Sequence, residues 1–161
     1  MPCTGWSPPA LLALLAAAAA VAVAIPALSH EHGDHASHAA YGQPGDPAKV
    51  SRSIAINMDD SMHYTPSRIS VRRGETIRFV VRNSGRLEHE IVLGGADELR
   101  QHAAMMREHP AMIHTESNAL MVDPGKTGEL VWRFTQPGTV DFACLQPGHF
   151  EAGMRGQITV K

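Results

Sequence analysis

Eleven consecutive residues near the C-terminal end, Cys144-Leu145-Gln146-Pro147-Gly148-His149-Phe150-Glu151-Ala152-Gly153-Met154, put a thiol, an imidazole and a thioether into one short loop. A mononuclear electron-transfer copper takes a thiolate, two imidazoles and a weak axial donor, commonly a thioether. Pro147, Gly148 and Gly153 allow the tight turning that would wrap three ligands around one ion. The second imidazole has to come from elsewhere, and His89 in Leu87-Glu88-His89-Glu90-Ile91 stands just after a turn, at the start of an apolar run. Taken singly, Cys144 reads as a small buried hydrophobe, His149 as a surface loop residue and Met154 as a core filler. Together, with His89 upstream, they read as the metal ligands His89, Cys144, His149 and Met154. Structural zinc sites prefer Cys and His and seldom use a thioether, which favours copper as the cofactor.

The chain holds ten His and eight Met in 161 residues, more than one such centre needs. His30, His32, His35 and His38 lie near the N-terminus, and Met58, Met62 and His63 precede the second strand. His102, Met105, Met106, His109, Met112, His114 and Met121 cluster further on. Two further copper sites are candidates. Cleavage before His30 would leave His30-Glu31-His32 at a free amine, and a His at position three then completes a square-planar Cu(II) set. Met105 and His109, at i and i+4 on a helix, could contact one softer ion. Met106, with Leu99 and Ala103 at helical spacing, equally reads as core.

The elements that must position these residues are mostly strands. Apolar residues alternate in Ser51 to Asn57, Arg68 to Arg72 and Thr76 to Arg82, with a turn at Arg73-Gly74-Glu75 and another at Asn83-Ser84-Gly85. Glu88 to Leu93, Leu130 to Phe134, Thr139 to Cys144 and Gly156 to Val160 complete about seven short strands. That text predicts an all-β Greek-key sandwich. Ala96 to His109 breaks the pattern: Asp97 and Glu98 suit a first helical turn and Pro110 a stop, so a helical segment is inserted between two strands.

Leu11 to Ile25 is an almost unbroken Leu/Ala/Val run, short for a membrane span, and Ala27 and Ser29 suit signal-peptidase cleavage before His30. Cleavage after Ala24 is the alternative, and an uncleaved anchor is a second one because residues 1–10 carry no Lys or Arg. The expected organisation is a signal peptide over 1–29, a disordered His-rich arm over 30–49 and one domain over 50–161. Removing the signal removes Cys3 and leaves Cys144 alone, so no internal disulfide can form. A net charge of -2 gives no basic footprint for nucleic acid.

The pattern Cys-x4-His-x4-Met running into Gly156-x-Ile158-x-Val160 resembles the C-terminal signature of the cupredoxins, the plastocyanin, pseudoazurin and azurin superfamily. Asn83-x5-His89 is similar to their first-ligand region, as is Tyr64-Thr65-Pro66-Ser67-Arg68-Ile69 running into Arg73-Gly74-Glu75. The similarity spans Val50 to Lys161. The extra His and Met are similar to those of bacterial copper-tolerance cupredoxins. This resemblance implies a periplasmic copper-binding protein, not an enzyme, that sequesters, transfers or redox-cycles copper. The alternative is a soluble one-electron carrier, with His149 as the electron path beneath an apolar patch. The implied partners are copper ions and redox or copper-transfer proteins, with no nucleic acid and no membrane after signal cleavage.

Overall fold

The computed structural model describes residue 1 and residues 40–110 and 116–161. Within these, ten strands form two five-stranded sheets. The first sheet has the order β1 (Gln43–Pro44), β8 (Thr127–Arg133), β5 (Thr76–Asn83), β2 (Arg52–Asp59) and β3 (His63–Thr65). The second has the order β4 (Arg68–Val71), β10 (Arg155–Val160), β9 (Gly138–Ala143), β6 (His89–Gly94) and β7 (Ala119–Val122). Two pairings are parallel, β2 with β5 and β4 with β10. The chain therefore crosses between sheets rather than running as a simple meander, as the Greek-key expectation requires.

Alternation drives the packing. In β5 the side chains of Ile77, Phe79 and Val81 are buried, while Arg78 and Arg82 point outward or sit half-buried. Ile56 and Met58 of β2, Trp132 of β8, Phe142 of β9 and Ile158 of β10 meet them between the sheets. Strand β6 is buried along its whole length. Its Ile91 and Leu93 face the sandwich core, and its Val92 packs on the other face against helix α1 (Ala96–Glu108). Leu99, Ala103 and Met106, at the spacing of one helical face, form the buried stripe of α1 together with Ala143, Leu145 and Phe150. Acidic Asp97 and Glu98 sit in the first turn of α1, where the helix dipole favours them, and the helix stops at His109, one residue before Pro110. The inserted helix is thus what makes β6 a two-sided core strand.

Three elements depart from the sequence expectation. β1, β3 and β7 are too short to show a period, and β7 (Ala-Leu-Met-Val) lacks polar alternation. Residues 41–45 of the expected arm are seated on the first sheet. Tyr41 is 4% exposed and stacks on Trp132 at 5.9 Å between ring centroids. Gly42 has φ +143, and a Cβ there would collide with the Arg133 carbonyl and the Trp132 indole, so only glycine fits the passage. The aromatic pair and the β1–β8 bonds hold a stretch whose polar, Gly/Pro-rich composition reads as loop. The expected signal peptide, with its apolar run, and His30, His32, His35, His38, Met112 and His114 lie outside the described residues. Among the described residues no helix is long and apolar enough to cross a membrane.

Candidate metal centre

Antiparallel pairing of β9 with β6 aligns Ala143 with Val92, which carries the chain beyond β9 past the beginning of β6. Continuing that register sets Cys144 level with Ile91, two residues along β6 from His89, its first residue, so the Cys144 and His89 side chains share one face. The loop after Cys144 is a series of tight turns. The His149 N–H donates to the Gln146 carbonyl at 2.9 Å, and the Met154 N–H donates to the His149 carbonyl at 3.0 Å. The Cys144 N–H donates to the Met154 carbonyl at 3.1 Å, closing the loop at its neck. Gly148 and Gly153 take φ values of +86 and +98, the left-handed region that other residues rarely enter.

The result is a compact donor set. Ligand atoms of His89, Cys144 and His149 all lie within 4.8 Å of one another. Cys144 Sγ is 3.3 Å from His149 Nδ1, and the two imidazole rings stand 4.9 Å apart at 48°. His89 and Cys144 are fully buried, and His149 is half-buried. Among the described residues His89 Nδ1, a buried nitrogen, has no hydrogen-bond partner, whereas Nε2 lies 3.2 Å from Asp60 Oδ1. An orphaned imidazole nitrogen beside a thiol and a second imidazole is what a transition-metal ligand set presents before loading. Met154 is fully buried in the same core cluster as Cys144.

Burial works against charge on two of these donors, Cys144 and His149. Burial pushes the Cys144 thiol up to about 12, partly opposed by hydrogen bonds from the Glu90 and Gln146 main chain. Burial also pulls His149 below the ordinary imidazole value, with the neighbouring His89 adding to the effect. A metal must therefore displace the thiol proton, while His149 offers a free lone pair.

Three polar side chains build the walls. Asn83, fully buried at the end of β5, donates through Nδ2 to the carbonyls of Leu87 and Val122, both at 2.8 Å, and accepts the Gly85 N–H at 2.9 Å. Glu90, also fully buried, accepts the Leu145 N–H on Oε1 at 2.9 Å. Asp60, in the turn after β2, accepts the N–H groups of Arg86 and Leu87 at 2.9 to 3.1 Å, and these bonds hold its carboxyl below the usual carboxylate range. The Tyr64 hydroxyl donates to the Glu90 carbonyl at 2.6 Å, and its ring meets Phe142 edge-on at 4.9 Å.

Comparison with known proteins agrees with this geometry. Residues 50–161 match the family of copper binding proteins described as plastocyanin/azurin. The chain belongs to that family. It is a cupredoxin, and copper is the metal its fold binds. A copper-resistant cuproprotein, CopI, of Rubrivivax gelatinosus is 51% identical over 114 residues, covering 71% of this chain and 69% of that protein. The copper-resistant cuproprotein CopI of Pseudomonas aeruginosa is 36% identical over 143 residues, covering 71% and 78%. Among solved structures, the dithionite-reduced auracyanin of Roseiflexus castenholzii superposes with a TM-score of 0.60 at 25% identity, over 70% of this chain and 98% of that one. Auracyanin B shares the fold with a TM-score of 0.62 at 23% identity, over 74% and 96%.

In this cupredoxin the other His and Met separate into classes. Met58 and Met106 are fully buried core residues. Met62 packs half-buried on the core. Met105 and Met121 are each 41% exposed. His109 caps α1 through its main-chain N–H to the Met105 carbonyl, one turn apart. His63 is exposed, with Nδ1 2.6 Å from the Ser61 carbonyl. Among the described residues, His89, Cys144 and His149 form the one group of three or more His, Cys, Asp or Glu side chains close enough to share an ion. Asp60 and Glu90 were not foreseen as parts of the centre. Glu90 left a sequence signal, a carboxylate inside an otherwise apolar strand; Asp60 left none.

Proposed function

We propose that this cupredoxin is an exported protein of bacterial copper tolerance, holding one copper ion through His89, Cys144, His149 and Met154. The observation that carries the reading is the convergence of a buried thiol and two imidazoles within 4.8 Å. Copper, when bound, supplies a reversible one-electron couple; the chain supplies a donor set held by its loop and strands. Cys144 would give the thiolate, His89 and His149 the two imidazoles, and Met154 a weak thioether donor that would tune the potential. The protein acts by binding and redox handling rather than by turning over a substrate. Its partners are copper ions and copper-transfer or redox proteins, without nucleic acid or membrane in the mature form.

Tolerance is supported by similarity to proteins named as copper-resistant cuproproteins, at 51% and 36% identity. Export to the periplasm rests on the apolar run ending before His30, with residues 1–29 as signal, 30–49 as arm and 50–161 as domain. Weaker copper capture by His30 with His32, and by Met105 with His109, belongs to the same reading. Copper titration of Cys144→Ser tests it: residual stoichiometry supports the extra sites, and none removes them. Deleting the gene and plating on copper tests the function. Raised sensitivity is expected; unaltered tolerance with impaired electron flow would favour the one-electron carrier instead.

A further inference from the structure

Asp60 reaches the centre from the opposite sheet. Its carboxylate is fixed by three main-chain contacts: Arg86 N–H lies 3.0 Å from Oδ1 and 2.9 Å from Oδ2, and Leu87 N–H lies 3.1 Å from Oδ1. Oδ1 also stands 3.2 Å from His89 Nε2. Gly85 leaves the space, since a Cβ there would collide with Asp60 Oδ1. The Asp60 side chain is 37% exposed, and the His89 ring is wholly enclosed. The other nitrogen of that ring, Nδ1, is buried and has no partner among the described residues.

We infer that Asp60 is a positioning residue of the metal centre: its carboxylate holds the proton of His89 on Nε2, presents the Nδ1 lone pair to the metal, and biases the centre toward Cu(II) over Cu(I). A carboxylate on the outer nitrogen fixes tautomer and ring orientation and raises the basicity of the ligating nitrogen. Its charge also favours the metal state of higher charge. The competing role is a purely structural one, in which Asp60 only clips residues 84–88 and the His89 contact is incidental. The redox half of the inference rests on the copper reading above; the tautomer half does not.

The experiment has two arms. In the metal-free protein, long-range proton–nitrogen correlation of labelled histidines should show neutral His89 as the Nε2–H tautomer, with mixed tautomers in Asp60→Ala. A wild-type ring carrying its proton on Nδ1, or an unchanged tautomer in Asp60→Ala, overturns the inference. In the copper-loaded protein, Asp60→Asn keeps an acceptor oxygen and loses the charge. The ratio of Cu(II) to Cu(I) affinity should fall about tenfold, the lower edge of what such partners are worth. For a one-electron couple that is an upward shift of about 59 mV. Asp60→Glu should restore much of it. An unchanged potential in Asp60→Asn, with only thermal stability lowered, leaves the structural clip and overturns the inference. Should Asp60→Ala fail to fold, wild-type tautomer and Asp60→Asn potential decide. Should the protein bind no copper, the copper reading falls while the tautomer arm still judges Asp60.

Discussion

The buried carboxylate of Glu90 accepts the Leu145 N–H at 2.9 Å, tying the strand that begins with His89 to the chain that leaves Cys144. The β6–β9 register pairs Val92 with Ala143, which carries Glu90 opposite Leu145. A side chain thus continues the ladder where the main chain turns away into the ligand loop. Removing it leaves a buried N–H without its acceptor. Glu90→Ala should cost about 1–3 kcal/mol of stability, read by urea unfolding. Glu90→Gln, which keeps an acceptor oxygen, should cost less.

Metal uptake should be steeply pH-dependent, because the Cys144 thiol stands at about 12 in the folded protein. At neutral pH the metal-free site is protonated at sulfur, and binding a metal releases that proton. Raising pH lowers the cost of losing it, so affinity rises with pH. His149, held below its ordinary value by burial, contributes no proton above the normal imidazole range. Apparent affinity should climb about tenfold per pH unit from neutrality upward until the thiol itself ionises. Competition titrations at two pH values measure the slope, and Cys144→Ser should flatten it.

Met105 and Met106 are neighbours in sequence with opposite fates. Met106 is 1% exposed beneath α1, and Met105 is 41% exposed on its outer side. Met106→Ala should destabilise by about 2–5 kcal/mol through the cavity it leaves. Met105→Ala should stay within about 0.5 kcal/mol. Thermal unfolding of the two variants separates them, and neither should change the spectrum of the main copper centre.

How far the sequence reached follows from which contacts are local. Cys144, His149 and Met154 lie in one loop, so their spacing alone displays a ligand set. His89 was legible because a turn and an apolar strand flank it. Helix α1 announced itself by Asp97, Glu98 and Pro110, with Leu99, Ala103 and Met106 at helical spacing. Asp60 was invisible: 29 residues separate it from His89, and parallel pairing of β2 with β5 brings them together by setting Met58 beside Asn83. Parallel pairing between distant strands leaves no mark in either strand's own pattern. Tyr41 and Gly42 read as arm because their partners, Trp132 and Arg133, lie some ninety residues on.

That docking is itself testable. At Gly42 the backbone has φ +143 and no room for a side chain. Gly42→Ala should free the 41–44 stretch from Trp132, at a cost of about 1–3 kcal/mol from strain. A shift of Trp132 fluorescence and earlier proteolysis within residues 40–50 report the release.

The central claim is that Cys144 sulfur binds copper together with imidazoles from two separate parts of the chain. Absorption and electron paramagnetic resonance spectra of the Cu(II)-loaded protein and of Cys144→Ser test it most directly. The account predicts an intense visible thiolate-to-copper charge-transfer band in the wild type and its disappearance in Cys144→Ser. Cu(II) bound without such a band, or a band that survives the substitution, would contradict it.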